Sequence, residues 1–245
     1  MSDRRFSGIA RLYGAEGARA IAAAHLAVVG VGGVGSWTVE ALARSGVGRL
    51  TLIDMDHVAE SNINRQLPAL ESTLGRAKIA VLAERVAQIN PACELTLVDD
   101  FVAPDNLEAL LGCGHDWVID CIDNARVKAA MIAWCRRRRQ RILTVGAAGG
   151  QLDPTRVRVS DLRRTEQDAL LARTRRILRQ SAGFPSNPRR SFGVPAVWSD
   201  EPVRGSDACR ADGSLNCAGF GACMPVTAAF GLAAAGHVLR EIAGC

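Results

Sequence analysis

Four glycines in one short segment carry the first chemical signal of this sequence. Gly30, Gly32 and Gly35 form the pattern GxGxxG, and Gly33 adds a further glycine to it. Glycines at this spacing let the backbone approach a phosphate, whose oxygens bind the free N–H groups that open the following helix. Because the segment follows a β-branched run and precedes a helical pattern, it predicts a nucleotide-binding turn. A glycine turn without a ligand is the alternative that this context disfavours.

Asp54 ends the next predicted strand. It follows the glycine segment by roughly 20 residues, the distance at which a carboxylate commonly accepts hydrogen bonds from a ribose. Together the two features predict an adenine nucleotide. They are common to sites for NAD and sites for ATP, so they leave the choice between the two open.

The polar residues that follow Asp54 favour ATP. Hydride transfer needs a nicotinamide pocket, whereas adenylation must hold the β and γ phosphates with cations while a carboxylate attacks the α phosphate. Arg65 and Lys78 suit the second task, although each alone is more simply a solvated surface charge. As a set beside the glycine turn they predict a triphosphate site. Its other predicted members are Asp56, Asn62, Asn64 and Gln66.

Asp123 lies in the segment DCIDN, which follows a hydrophobic strand pattern. Ligands of open α/β folds bind at the carboxyl ends of the strands. A carboxylate there suits Mg²⁺, which retains several waters and bridges phosphate oxygens. We therefore predict that Asp123 binds Mg²⁺ and that Asn124 lies in the same nucleotide site. The alternative is that Asp123 or Asn124 only caps the next helix.

Alternating strands and helices are needed to position these residues. The hydrophobic pattern predicts strands at 25–31, 49–54, 94–98, 117–122, 142–145 and 157–159, and helices at 36–45, 75–90, 104–111, 124–139, 165–181 and 224–242. Such alternation indicates an α/β fold with a doubly wound, mostly parallel sheet. Residues 184–216 are rich in proline and lack periodicity, which predicts a long loop.

One domain is expected over residues 1–245. Its first half, 1–150, is predicted to be Rossmann-like and to bind the nucleotide. The second half, 151–245, is predicted to bind the substrate and a second subunit, and contains the long loop at 181–212.

Composition and charge narrow the class of protein. With 48% hydrophobic and 22% charged residues among 245, the chain is an ordinary folded protein, neither fibrous nor disordered. Its net charge of +5 is unevenly divided, since residues 1–120 carry −5 and residues 121–245 carry +10. This asymmetry predicts a polyanionic partner for the second half, although a solvated helix face explains any single cluster equally well. The arginine clusters lie at 136–139, 163–164, 173–176 and 189–190.

An uncharged run at 213–239 is long enough to suggest a membrane span. It is rich in Ala and Gly and contains Pro225, so a buried helix is favoured. No secretory signal opens the sequence, and the predicted location is the cytoplasm.

The chain resembles the ThiF, MoeB and HesA group of adenylating enzymes in the segments GVGGVGSWTVEALARSGVGRLTLIDMD, SNINRQ and DCIDN and in Lys78. It further resembles the branch of tRNA threonylcarbamoyladenosine dehydratases in ARLYG, QINP, VDDFVAPDN, GAAGGQLDPTRVRVSDL and CAGFGACMPVTAAFG. The resemblance covers most of the chain, is most specific at 146–162 and is weakest at 181–212.

The resemblance implies an enzyme that uses ATP and Mg²⁺ to activate the threonyl carboxylate of N6-threonylcarbamoyladenosine at position 37 of tRNA. The carbamoyl part of the same side chain then attacks the activated carbonyl, releases AMP and closes a ring. By position, the resemblance places the phosphates at Gly32 and Gly33, the ribose at Asp54, the triphosphate at Asn62, Arg65 and Lys78, and Mg²⁺ at Asp123.

Further partners are implied by the same resemblance. It implies a homodimer in which Arg11 reaches the partner's site. It also raises a monovalent cation near residues 146–150 and a cysteine desulfurase or sulfur-acceptor protein as partners.

Eight cysteines raise the question of a metal site or a reactive thiol. No CxxC pair occurs, so the zinc site of many sulfur-carrier-activating relatives is not expected. Cys209, Cys217 and Cys223 lie where a catalytic thiol of such relatives would be. A small buried hydrophobe is the favoured interpretation of each, because a ring closure needs no enzyme nucleophile.

Three other functions stay open at this point. The nearest is adenylation of the C-terminal glycine of a small sulfur-carrier protein. One of the others is an NAD-dependent oxidoreductase, which is disfavoured by Asn62, Arg65, Lys78 and Asp123. The other is a sulfur-relay adaptor that uses Cys217.

Overall fold

Strands and helices alternate along the chain, as the hydrophobic pattern predicts. The computed structural model describes residues 4–187, 189–203 and 220–245. Within them, one sheet contains β1 (His25–Val29), β2 (Arg49–Ile53), β3 (Glu94–Val98), β4 (Trp117–Asp120), β5 (Ile142–Val145), β6 (Val157–Asp161) and β7 (Pro195–Ser199). The helices of the same residues are α1 (Ser7–Ala23), α2 (Gly35–Arg44), α3 (Lys78–Ile89), α4 (Leu107–Leu111), α5 (Ala125–Arg138), α6 (Ala169–Ser181) and α7 (Met224–Ala243).

The order of the strands determines where a ligand can bind. The sheet runs β3-β2-β1-β4-β5-β7-β6, and only β6 is antiparallel to its neighbour. The direction of winding reverses between β1 and β4, where open α/β sheets form a crevice outside the carboxyl ends of the strands. Val29 pairs with Ile53 and with Asp120, so β1, β2 and β4 end at one level. The predicted fold class, a doubly wound and mostly parallel α/β sheet, is confirmed.

Helices cover both faces of the sheet because successive strand residues point to opposite sides. Leu26 and Val28 are buried in a core that includes α7, whereas Ala27 and Val29 are buried in a second core that includes α5. The predicted last helix therefore exists, and it packs on α1 and α2. Across the described ranges, none of the helices has both the length and the apolarity of a membrane span.

The predicted loop at 184–216 is wrong in part, because β7 lies within it. Pro195 occupies the first position of this strand, where proline is tolerated. The next residues, Ala196, Val197 and Trp198, are buried, and the run is too short to display a period. Residues 204–216 of the predicted loop lie outside the described part of the chain.

Several element ends also differ from the predicted ones. Helix α3 begins at Lys78 instead of residue 75, since Gly75 has a positive φ of 77°. Helix α6 begins at Ala169 instead of residue 165, because the Asp168 side chain caps its first turn. Strand β4 ends at Asp120, which frees the following residues to leave the sheet. The pattern did not predict α1 at all.

Candidate functional site

The glycine segment forms a tight turn between β1 and α2. Gly30 has a φ of 80°, a conformation that favours glycine. A side chain at Gly35 would overlap the Gly30 carbonyl oxygen, so the turn brings α2 directly against the end of β1. Because this requirement involves only neighbouring residues, the glycine spacing can be recognised from the sequence alone.

Backbone donors are available in this turn. Ser36 donates its backbone N–H and its hydroxyl to the Gly32 carbonyl oxygen. For the N–H groups of Gly32, Gly33 and Val34, no acceptor occurs in the described part of the chain. A cluster of free N–H groups at a helix N-terminus is suited to an anionic ligand.

Asp54 supports the glycine turn as well as lining the cleft. One carboxylate oxygen accepts the Val31 N–H at 2.7 Å, and the other accepts the Asp56 N–H at 2.8 Å. The sequence predicted only a ribose contact. The geometry adds a structural role, since Asp54 fixes the turn to the end of β2.

Two cations face the same cleft. Lys78 opens α3 with its side chain only 5% exposed, and its Nζ lies 2.7 Å from an Asp56 carboxylate oxygen. Arg65 donates to the Ser61 carbonyl oxygen at 2.6 Å and to the Asn64 side chain at 2.9 Å. Both cations are thus held in place by neighbouring oxygens.

The amides near Arg65 differ in their roles. Asn62 is buried and accepts the Ala59 N–H, which fixes the turn before Arg65. Gln66 lines the cleft, and its buried Oε1 has no hydrogen-bond partner among the residues that the structure describes. Asn64 does not line the cleft, because its side chain donates to the Ala222 carbonyl oxygen at 2.7 Å.

The end of β4 supplies the predicted metal ligand. Asp123 is exposed and lines the cleft. Asn124 caps α5 instead, accepting the N–H groups of Arg126 at 3.0 Å and Val127 at 3.3 Å. Asn124 lies only in the hollow beside the cleft, so the capping alternative describes it better.

The cleft has a volume of about 350 Å³ and adjoins an apolar hollow of about 300 Å³. Asp54 and Asp123 line both. The hollow has the character of a base-binding surface, and the cleft has the donors and cations of a phosphate site. Of the predicted residues, the cleft is lined by Gly30, Gly32, Gly33, Asp54, Asp56, Asn62, Arg65, Gln66, Lys78 and Asp123. The apolar residues of the hollow are Val29, Ile53, Met55, Phe101, Val102, Ile122 and Val127.

Besides Asn64 and Asn124, two further predicted residues lie away from the cleft lining. Gly35 is buried at the start of α2, where it permits the turn without facing the cleft. Arg11 is exposed on α1 and does not line this chain's cleft.

A buried ion pair beneath the cleft was missed by the sequence reasoning. The Lys128 Nζ lies 2.8 Å from an Asp120 carboxylate oxygen, and both side chains are fully buried. Thr144 donates its hydroxyl to Asp120 at 2.7 Å and lies 3.2 Å from the Lys128 Nζ. The available signal was a lysine, one of two in the chain, inside an otherwise apolar helical run.

The second wall of the cleft was also missed. It is formed by Gly146, Ala147, Ala148 and Gly149, which follow β5. Asp168 accepts the Ala147 N–H at 2.9 Å and the Leu171 N–H at 2.8 Å. Burial raises the pKa of the Asp168 carboxyl.

Cys121 lines the cleft but is poorly suited to nucleophilic chemistry. Burial, with a contribution from Asp120, raises the pKa of its thiol to about 12. A thiol with this pKa stays protonated at neutral pH. Cys223 is half-buried beside the Gln151 carbonyl oxygen, and Cys209 and Cys217 lie outside the described residues. No group of three or more His, Cys, Asp or Glu side chains in the described ranges could hold a metal ion.

Comparisons with known proteins agree with this geometry. The sequence model of the ThiF family matches residues 6–245. The tRNA threonylcarbamoyladenosine dehydratase of Haemophilus influenzae is 47% identical over 98% of this chain and 94% of its own length. A crystal structure of the Escherichia coli enzyme of that name in complex with ATP is 48% identical, covers 98% of this chain and 93% of its own, and has a TM-score of 0.89. E. coli MccB with ATP, at 16% identity and a TM-score of 0.65, shares the fold.

Proposed function

The chain belongs to the ThiF family, and we propose that it catalyses the ATP-dependent cyclisation of N6-threonylcarbamoyladenosine at position 37 of tRNA. The observation that carries the proposal is the convergence of free N–H groups, two cations and three carboxylates on one cleft at the switch point of the sheet. The relatives named for this activity, which match over nearly the whole chain, support the choice of substrate.

ATP fits the cleft and its hollow by chemistry. The apolar hollow receives the adenine, and Asp54 at its border receives the ribose. The N–H groups of Gly32 and Gly33 face the phosphates, and Arg65 and Lys78 neutralise the β and γ phosphates. Asp56 beside Lys78, together with Asn62 and Gln66, completes this proposed site.

The reaction proceeds in two steps. A carboxylate oxygen of the threonyl group forms a bond to the α phosphorus, and pyrophosphate leaves. The carbamoyl part of the same side chain then bonds to the activated carbonyl carbon and releases a proton, and AMP leaves with the carboxylate oxygen. The second step is intramolecular and therefore gains from proximity. The high pKa of the Cys121 thiol agrees with a route that needs no enzyme thiolate.

Asp123 is the proposed ligand for Mg²⁺. An exposed carboxylate beside a phosphate site matches the usual mode of Mg²⁺, which binds one or two carboxylates, phosphate oxygens and waters. The ion would neutralise charge on the phosphate oxygens and on the departing pyrophosphate. The proposed Mg²⁺ site is therefore complete only when ATP contributes its phosphate oxygens.

An arginine surface next to the cleft suits tRNA. Helix α6 begins beside the cleft, which Leu170 lines, and continues outward with Arg173 and Arg176 exposed. Helix α5 packs on α6 but leads away from the cleft, so its exposed last residues, 136–138, lie at the opposite, amino edge of the sheet, just before β5. We name the two exposed arginines of α6, Arg173 and Arg176, the arginine surface. Its position would let phosphates of the anticodon arm bind while the modified base enters the cleft.

We further propose a cytoplasmic homodimer in which Arg11 reaches the partner's cleft. The exposure of Arg11 on α1, next to Leu12 with 74% of its surface exposed, supports an interface there. A monovalent cation near residues 146–150 and a cysteine desulfurase or sulfur-acceptor partner stay predictions from the resemblance. The single domain over 1–245 with its two halves stays a prediction as well.

Mass spectrometry of the nucleoside tests the proposed function. Incubation of the protein with ATP, Mg²⁺ and tRNA that carries N6-threonylcarbamoyladenosine should remove the mass of one water from that nucleoside. Arg65→Ala and Asp123→Ala should each abolish the loss. An unchanged nucleoside mass, in a preparation that binds ATP, would contradict the proposal. Pyrophosphate exchange driven by a small sulfur-carrier protein instead of tRNA would favour that alternative substrate.

A further inference from the structure

Two segments of backbone flank the cleft. The glycine turn follows β1, and the second wall, Gly146 to Gly149, follows β5. Strand β4 lies between β1 and β5 in the sheet. Adjacent strands are spaced by about 4.8 Å, so the two segments begin about 10 Å apart. This separation leaves room for a second reactant between the phosphates and the second wall.

The second wall contains N–H groups without acceptors. Ala147 donates to Asp168, and Gly150 donates to the Gly221 carbonyl oxygen at 3.0 Å. For Ala148 and Gly149, which lie between them, no acceptor for the backbone N–H occurs within the described ranges. Ala148 is buried. Because a buried N–H group that binds nothing is unfavourable, these two donors point to a ligand with acceptor oxygens.

Asp168 fixes the position of this wall from behind. Asp168 is 4% exposed and does not line the cleft, and its carboxylate binds both Ala147 and the first turn of α6. A side chain at Gly146 would overlap the Asp168 carboxylate, so the backbone and this carboxylate are in close contact. Lys128 and Arg175 act on Asp168 electrostatically and offset its charge.

We propose that the N–H groups of Ala148 and Gly149 form the subsite for the carboxylate that is adenylated, and that Asp168 is the positioning residue of this subsite. The inference rests on the proposed function, which requires an anionic second reactant beside ATP. Two adjacent N–H donors match the two oxygens of a carboxylate, and they keep their geometry without reorganisation during the reaction. Asp168 acts through Ala147 and does not touch the substrate.

Asp168→Asn tests the positioning role. The amide retains one acceptor but presents an NH₂ group to either Ala147 or Leu171, which displaces the wall. We expect kcat/KM for modified tRNA to fall about 100-fold, the scale of losing one oxyanion-type donor, while the Kd for ATP stays within about twofold. Asp153→Asn is the matched control, because Asp153 also caps a helical turn but lies outside the cleft lining.

The outcomes separate this inference from the proposed function. A wild-type protein that leaves modified tRNA unchanged contradicts the proposed function itself. An active wild-type protein whose Asp168→Asn variant matches Asp153→Asn in kcat, KM and ATP affinity overturns the inference. Gly146→Ala, whose added methyl group would overlap the Asp168 carboxylate and displace the wall, should reproduce the substrate defect of Asp168→Asn.

If both variants fail to fold, hydrogen exchange of the wild-type protein tests the proposed carboxylate subsite. With a non-hydrolysable ATP analogue alone, exchange should slow at residues 30–36. Addition of an anticodon stem-loop that carries the modified nucleoside should slow exchange at residues 146–151 as well. The same stem-loop with unmodified adenosine should lack this effect. Equal exchange at 146–151 with the two RNAs would overturn the inference.

Discussion

A side chain that lines the cleft can also stabilise the fold. Asp54 fixes the glycine turn through the Val31 N–H, and it also borders the proposed ribose position. Each of the two lysines, Lys78 and Lys128, has only one of these two roles. Lys78 faces the cleft, whereas Lys128 is fully buried against Asp120 beneath it. A lysine therefore contributes to binding or to stability according to where its Nζ lies.

Replacing each lysine by methionine should separate the two roles. Lys128→Met leaves the buried Asp120 carboxylate unpaired, which should lower the free energy of unfolding by about 3–5 kcal/mol. Lys78→Met should change the free energy of unfolding by less than about 1 kcal/mol, because its partner Asp56 is 66% exposed, but should weaken ATP binding. Urea unfolding and calorimetric ATP titration measure the two effects. Equal loss of stability in both variants would contradict this division.

At the level of elements, the two ends of the sheet have different chemistry. The carboxyl ends of β1 and β4 border the cleft, whereas the amino ends of β1 and β2 meet at a pair of imidazoles. His25 and His115 both bond the Thr51 hydroxyl, at 2.9 and 3.2 Å, with ring centroids 4.4 Å apart. Burial lowers the pKa of both, that of His115 to about 4. Both lowered pKa values favour neutral rings in the folded protein at pH 7.

The imidazole pair predicts a loss of stability in acid. The unfolded chain protonates His115 near its ordinary pKa of 6.5, whereas the folded protein resists protonation until about pH 4. The free energy of unfolding should therefore fall as the pH is lowered from about 6.5 to about 4, by on the order of 3 kcal/mol from His115. Urea unfolding at a series of pH values measures this slope, and His115→Gln should reduce it. The exposed His57 provides the control, and a slope that His115→Gln leaves unchanged would refute the prediction.

At the level of the whole molecule, the two halves of the chain differ in net charge and contribute different surfaces. The first half carries −5 and contributes the carboxylates of the cleft, Asp54, Asp56 and Asp123. The second half carries +10 and contributes the arginine surface on α6. Because α6 begins at the cleft, the two regions are adjacent. A polyanion bound to the arginine surface can therefore present one of its groups to ATP.

Salt dependence of tRNA binding tests this arrangement. The double variant Arg173→Gln, Arg176→Gln removes two phosphate contacts, so the slope of log K against log salt should become shallower by about two units. ATP affinity should be unchanged. Arg49→Gln is the matched control, since Arg49 is exposed at the amino end of β2, opposite the cleft. An identical slope in the double variant and the control would show that tRNA binds elsewhere.

The sequence by itself determined the nucleotide turn and the fold class. Gly30 and Gly35 are required by contacts within a few residues, and alternating strands and helices restrict the sheet to few topologies. Polar residues that follow the strands could be recognised as candidate site residues, because the carboxyl ends of parallel strands lie at the same edge of the sheet. Most of the predicted site residues therefore line one cleft, and Arg11, Gly35, Asn64 and Asn124 do not.

Tertiary structure alone decided the contacts between distant parts of the chain. Asp168 accepts the Ala147 N–H, and Asp120 pairs with Lys128. Strand β7 lies between β5 and β6 in the sheet. Each depends on which strands become neighbours, and the order β3-β2-β1-β4-β5-β7-β6 leaves no local pattern in the sequence. Buried polar groups find their partners only once the sheet is assembled, because burial itself makes those partners necessary.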